Sequence, residues 1–270
     1  MLSPTPETPP YALTIASSDS GGGAGIQADL KTMTRLGVYG GSVIVGLTSQ
    51  NTRGVTDTHV LPTAVVRSQF DAVADDFDIG AIKLGMLATA EAVATVAECL
   101  SEYDGPVVVD PVMVATSGDR LLDEDAVDAY DDIFAQATLV TPNADEAEAL
   151  TGHVPETPET VRAAADWFFE RGADAVLLKG GHVETGDGTV VDTLVTREET
   201  TTFTNPRVDT DRTHGSGCTL SSAIAAGLAR GDDLESAVEQ GIEFTKSALA
   251  APADVGTGPG SVNHLVDFDN

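Results

Sequence analysis

The chain reads as an α/β protein with a mostly parallel central sheet covered by helices on both faces, and three observations predict this. Short apolar runs near residues 12–16, 41–47, 80–87, 107–109, 138–141 and 175–178 alternate with stretches of helical periodicity. Those runs are nearly continuous rather than alternating, the pattern of strands buried on both faces. Most of them end in polar or glycine-rich residues, and sheets of this kind bind ligands beyond the carboxyl ends of their strands.

Taken in order, residues 1–10 contain four prolines and are expected to form a loose leader before a single domain over 11–270. Ala12-Leu13-Thr14-Ile15-Ala16 is the first strand, and the loop from Ser17 to Gly25 opens a helix over about 26–36. Its glycines, Gly22 among them, are not a phosphate loop, because no Lys-Ser or Lys-Thr follows, nor do they give a dinucleotide fingerprint. They are read as letting a substrate lie against the backbone at the strand tip, beside Asp19. Asp29, about one turn into the helix, reads on spacing alone as a solvated acid.

The second run ends at Thr48-Ser49-Gln50-Asn51, and helical periodicity covers 63–76 and 90–103. The latter carries Cys99, read as a small core residue. A strand and turn, Gly80 to Leu87, lies between these two helices and includes Met86; Val107-Val108-Val109 ends in Asp110-Pro111. The next strand ends in Thr141-Pro142-Asn143, where Asn143-Ala144-Asp145-Glu146 opens a helix, and Ala175 to Leu178 ends in Lys179-Gly180-Gly181-His182. A strand pair over 190–196 and 200–205 and helices over about 216–230 and 234–250 close the chain.

Charge narrows the function. With 43 acidic against 14 basic residues the formal charge is −29, which disfavours nucleic acid and anionic membrane as partners. The acids are scattered over helix faces, as expected of a protein working in concentrated salt. No apolar run is long enough to span a bilayer, the first residues lack a signal peptide's basic and apolar regions, and two distant cysteines form no metal pattern. A reduced cytoplasm is the expected location.

The most informative stretch is His214-Gly215-Ser216-Gly217-Cys218-Thr219-Leu220. Two glycines bracket Ser216 and a small-residue helix follows, so unpaired backbone N–H groups of Gly215, Ser216, Gly217 and Cys218 are expected to meet an anion at a helix start. The same field is expected to favour the Cys218 thiolate. Around it the strand tips would gather Asp19, Gln50, Met86, Asp110, Asn143, Glu146 and Lys179. Asp110 and Glu146 are the acids that can hold Mg²⁺, and Lys179, one of only four lysines, can neutralise a polyphosphate. Each acid also has a simpler reading, Asp110 capping a turn before Pro111 and Glu146 as a helix N-terminal acid. Phosphoryl transfer needs mainly positioning and charge neutralisation, and one weak base such as Cys218 suffices for the acceptor proton.

Taken together, Ser18-Asp19-Ser20-Gly21-Gly22-Gly23-Ala24-Gly25 with Gln27-Ala28-Asp29, Gln50-Asn51-Thr52, Lys83-Leu84-Gly85-Met86, Asp110-Pro111-Val112-Met113, Thr141-Pro142-Asn143, Lys179-Gly180-Gly181-His182 and Thr213 to Ser221 resemble the hydroxymethylpyrimidine/phosphomethylpyrimidine kinases of thiamine biosynthesis. The resemblance spans about residues 11–265 and implies a ribokinase-like, three-layer α/β/α sandwich. It implies two steps driven by ATP with Mg²⁺: phosphorylation of 4-amino-5-hydroxymethyl-2-methylpyrimidine, then of its monophosphate. It assigns Cys218 as catalytic cysteine, Gln50 to the pyrimidine edge, Met86 to the ring, Asp29 near the hydroxymethyl end, and Lys179 with Asn143 and Glu146 to nucleotide phosphate and metal. It also implies a homodimer. Ser17 stands where the family often has glycine, and Thr116 where lysine commonly precedes Ser117-Gly118, a contact Arg120 could supply. The alternatives are a pyridoxal or pyridoxine kinase of the same superfamily and a non-catalytic ligand-binding protein on this fold.

Overall fold

A computed structural model describes residues 7–112, 128–181 and 188–268. Among the described residues nine strands form one sheet in the order β3-β2-β1-β4-β5-β6-β7-β8-β9. Its middle is parallel: β1 (Tyr11–Asp19) lies between β2 (Tyr39–Asn51) and β4 (Ala81–Leu84), followed by β5 (Val107–Val109), β6 (Leu139–Val140) and β7 (Ala175–Leu178). Both margins are antiparallel. β3 (Gly54–Val60) folds back on β2, and β8 (Thr189–Thr196) with β9 (Thr200–Pro206) forms the predicted pair beside β7.

Strand parity divides the core. Leu13, Ile15, Ile82, Leu84, Val107, Val109 and Val176 face one side, packed by α2 (Thr63–Ala74), α3 (Ala90–Leu100), α4 (Asp131–Phe134), α5 (Ala144–Thr151) and α6 (Pro158–Glu170). Phe134 and Phe168 meet edge to face there, 5.2 Å between centroids, and each such buried ring stabilises the fold by roughly 1.5–3 kcal/mol. Ala12, Ala81, Val108, Ala175 and Leu177 face the other side, covered by α1 (Gly25–Arg35), α7 (Ser216–Arg230) and α8 (Leu234–Ala250). Small residues on that face and along α7 let α7 sit close to the strands.

The expected layers and most element positions agree with this architecture, with three differences. β2 runs on past Leu47 through Thr48-Ser49-Gln50-Asn51, because pairing with β3 satisfies its backbone even where its side chains are polar. β3 itself is mostly exposed and offers no apolar run to read. α6 is a helix beyond those expected, capped by Thr157 and opened by Pro158. Met113, Thr116, Ser117, Gly118, Arg120 and His182 lie outside the described residues. Among the described residues no helix is long and apolar enough to cross a membrane.

Candidate active site

A cleft of about 690 Å³ runs along the carboxyl ends of β1, β4, β5, β6 and β7. The start of α7 spans it. Gly215 adopts φ +83 and no side chain caps this helix, so its first turn, Gly215 to Cys218, faces the cleft; against expectation the Ser216 N–H is taken by the Thr213 carbonyl at 3.0 Å, which leaves those of Gly215, Gly217 and Cys218 for a ligand. A Cβ at Gly215 would run into the Gly23 carbonyl, and one at Gly23 would come within 2.8 Å of His214, so glycine at both positions lets the two loops close on each other.

At one end of the cleft Asp19 organises the glycine loop. Its carboxylate accepts the N–H groups of Gly21 at 2.8 Å, Gly23 at 3.0 Å and Ala24 at 2.9 Å, and lies 3.2 Å from His214 Nε2. Burial works against ionisation, but His214 and the N–H groups of Ala24 and Gly21 outweigh it and hold this carboxyl below its ordinary value. The same His214 nitrogen is 3.2 Å from Gln50 Nε2, while Gln50 Oε1 accepts the Thr48 hydroxyl at 3.0 Å. Gln50 is thus held between Thr48 and His214, half-buried, with Met86 also lining this end. Ser17 donates its hydroxyl to the Met86 carbonyl at 3.0 Å, which fixes the bulk that replaces glycine there.

Toward the other end Lys179 donates to Asp110 at 2.9 Å and lies 3.8 Å from Glu146. Burial works against the Lys179 charge, but the two carboxylates outweigh it and hold the ammonium above its ordinary value. Glu146 yields instead: burial pushes it up to about 7 against the pull of Lys179, with Asp110 adding to the rise. Asn143 and Glu146 form a capping box, each accepting the other's N–H at 2.8 Å, so the helix-acid reading of Glu146 holds alongside any ligand role. Gly217 brings α7 against the pair, since a Cβ there would be 3.3 Å from Asp110 and 3.4 Å from Lys179. Two carboxylates across a lysine, open to a polyphosphate, suit Mg²⁺ held largely by water and substrate phosphate. Among the described residues no cluster of three or more His, Cys, Asp or Glu forms a full metal cage.

Three further expectations need correction. Cys218 is partly exposed to the cleft, but its thiol is not favoured as thiolate: burial pushes it up to about 11, Lys83 pulls it down, and Asp29 and Asp110 push it up again. The helix field is too small to offset that desolvation. Asp29 is neither solvated nor on the cleft wall; it is fully buried beneath it, bonded to Lys83. Gly22 likewise turns away from the wall, with its carbonyl accepting Lys31 Nζ at 2.6 Å. The structure does gather Asp19, Gln50, Met86, Asp110, Asn143, Glu146, Lys179 and Cys218 on one cleft. Sequence reasoning gave no role to His214, Lys83 or Asp192, whose buried carboxylate accepts the Gly180 N–H at 2.9 Å. Lysine scarcity was the available signal for Lys83: of the chain's four lysines, Lys83, Lys179 and Lys246 line the cleft and Lys31 braces its glycine loop.

A doubly wound sheet whose strand tips carry an uncapped helix start, a lysine and two acids defines a ribokinase-like small-molecule kinase. The phosphomethylpyrimidine kinase family profile matches residues 19–263, and the chain belongs to that family. It is 46% identical over 266 residues to the hydroxymethylpyrimidine/phosphomethylpyrimidine kinase of Streptomyces coelicolor, covering 98% of each chain. It is 48% identical over 256 residues to the thiamine biosynthesis bifunctional protein ThiED of Geobacter sulfurreducens, covering 94% of this chain and 52% of that one, so it spans about half the length of that relative. Among solved structures, the ADP complex of a Bacillus subtilis pyridoxal kinase superposes with a TM-score of 0.87 at 32% identity, over 95% of this chain and 98% of the other.

Proposed function

We propose that this chain transfers the γ-phosphoryl group of ATP to the hydroxymethyl oxygen of 4-amino-5-hydroxymethyl-2-methylpyrimidine, and then phosphorylates the resulting monophosphate to the diphosphate, in thiamine biosynthesis. The observation that carries this is the start of α7, which reaches from the Gln50–His214–Asp19 group to the Asp110–Lys179 pair with Cys218 in its first turn. Gln50 reads the pyrimidine edge, its amide offering a donor and an acceptor to an amino group beside a ring nitrogen. Met86 lies against the ring, and Asp19 with the glycine loop closes the hydroxymethyl side. Cys218, in its thiolate form, takes the acceptor proton and becomes the thiol, while the N–H groups of Gly215, Gly217 and Cys218 hold the transferring phosphoryl group. Lys179 and Asn143 contact the nucleotide phosphates. Asp110 and Glu146 would hold Mg²⁺, which, when bound, neutralises phosphate charge.

Incubation with the aminopyrimidine alcohol and Mg·ATP, with mono- and diphosphate measured separately, tests this; absence of both products removes the proposal. The pyridoxal kinase likeness favours a second acceptor, and a higher kcat/KM for pyridoxal than for the aminopyrimidine would reverse the assignment. We further propose a homodimer working in a salt-rich cytoplasm. For a chain of charge −29, molar KCl is expected to raise the melting temperature by screening self-repulsion, and an unchanged or lower value would contradict salt adaptation.

A further inference from the structure

Beneath the cleft lies an ion pair with both side chains at 0% exposure, Lys83 and Asp29. Burying two charges is costly, and an apolar pair of similar volume is commonly as stable, so such a pair beside a reactive group points to function. Strand parity puts it there. Ile82 and Leu84 enter the aromatic side of the core, leaving Lys83 on the face covered by α1 and α7. Lys83 Nζ donates to both Asp29 oxygens, at 2.8 and 3.0 Å, and each oxygen also accepts a hydroxyl at 2.6 Å, from Ser222 and from Thr14. Asp29 is thereby fixed by three elements. Ser222 follows Cys218 by four residues on α7, so the cysteine lies one turn along the same helix face. Gly85 makes room for the buried ammonium, since a Cβ there would be 2.9 Å from Nζ, and Lys83 and Cys218 border the same cleft.

We propose that Lys83 is a positioning residue whose clamped ammonium is the fixed positive charge that sustains the Cys218 thiolate until an acceptor hydroxyl hands it a proton and the thiol forms. This rests on the reading of Cys218 as the base. The charges facing the sulfur are Lys83 from β4, Asp29 from α1, Asp110 beyond β5 and Lys179 beyond β7. Burial resists the thiolate, Lys83 favours it, and the carboxylates oppose it. Asp29 therefore has two effects: it holds the lysine in place, and it offsets part of the lysine's field at the sulfur. The two partners of one ion pair act on Cys218 with opposite sign.

Alkylation of Cys218 by iodoacetamide, resolved from Cys99 by peptide mass spectrometry between pH 6.5 and pH 10, reads this without either kinase substrate. Failure of the kinase assignment would therefore be seen separately, in product analysis. Lys83→Met is expected to slow Cys218 alkylation at pH 8 by about tenfold, one unit of pKa, while Lys83→Arg stays close to wild type. Asp29→Asn is expected to speed it. An ion pair that serves only structure would move both variants in the same direction, by loosening the site. That result, or a Lys83→Met rate equal to wild type, overturns the proposal. Should Lys83→Met fail to fold by circular dichroism, Asp29→Asn decides alone: faster alkylation supports the proposal, and an unchanged or slower rate refutes it.

Discussion

Helices α5 and α7 both start at the carboxyl edge of the sheet and turn their first residues toward one cleft, yet α5 closes its own end while α7 leaves its end open. At α5 the Asn143 and Glu146 side chains take up two of the N–H groups that a helix start exposes, and the Glu146 carboxylate occupies the place an anion would fill. At α7 a left-handed glycine replaces any capping side chain. The same backbone field is spent internally in one case and offered to a ligand in the other. Lys179 lies between them, against the acid at the start of α5 and against Gly217 at the start of α7. One helix start thus favours cations and the other anions, which is what a polyphosphate with its counter-ion requires.

The strongest way to break this contrast is at Cys218. Cys218→Ala leaves the open N–H groups in place and removes only the thiol, so kcat for the alcohol acceptor is expected to fall by about 100-fold or more while ATP binding is largely kept. Near-normal turnover would mean that the helix start works without a base. The next effect is expected beneath the loop that α7 packs against. Asp19→Asn leaves one oxygen to serve three N–H groups and His214, costing roughly 1–3 kcal/mol in urea unfolding at pH 7. Because the folded carboxyl is held below its ordinary 3.8, its stabilisation is complete above that value and lost as pH falls through the folded one. The gap between wild type and variant should therefore close in acid; a gap that persists at low pH would show that charge is not its source.

Gly217→Ala separates activity from stability. A methyl group 3.3 Å from Asp110 and 3.4 Å from Lys179 displaces the ion pair and narrows the phosphate path, with kcat/KM for ATP expected to fall roughly tenfold. Alanine is the better helix former by up to about 1 kcal/mol, so the melting temperature should hold or rise. Falling together, activity and stability would instead indicate damage to the helix.

The strand tips were legible because buried parallel strands leave long apolar runs, and each run stopped where the chain became polar. Thr48 to Val60 shows the limit: the β2–β3 hairpin projects where few helices cover it, so its side chains are mostly exposed and leave no period to detect. The ion pair under Cys218 shows another. Asp29 and Lys83 are 54 residues apart, and a buried acid cannot be told from a solvated one by helix spacing. Burial also decided the thiol, whose desolvation outweighs the helix field that the sequence did reveal.

The smallest predicted effects test whether the start of α5 does anything beyond capping. Asp caps helices as well as Asn, so Asn143→Asp should keep stability within about 0.5 kcal/mol of wild type. It loses the amide N–H₂ donors, however, and adds negative charge beside Asp110 and Glu146, so KM for ATP is expected to rise. Asn143→Ala removes cap and donors together and should cost about 1 kcal/mol as well. If Asn143→Asp leaves KM for ATP unchanged, Asn143 serves only the helix, and the nucleotide is held on this side by Lys179 alone among the proposed contacts. Because the capping oxygen is retained in Asp and lost in Ala, the difference between the two variants in thermal unfolding isolates the bond to the Glu146 N–H, 2.8 Å in length, from every contribution the side chain makes to phosphate.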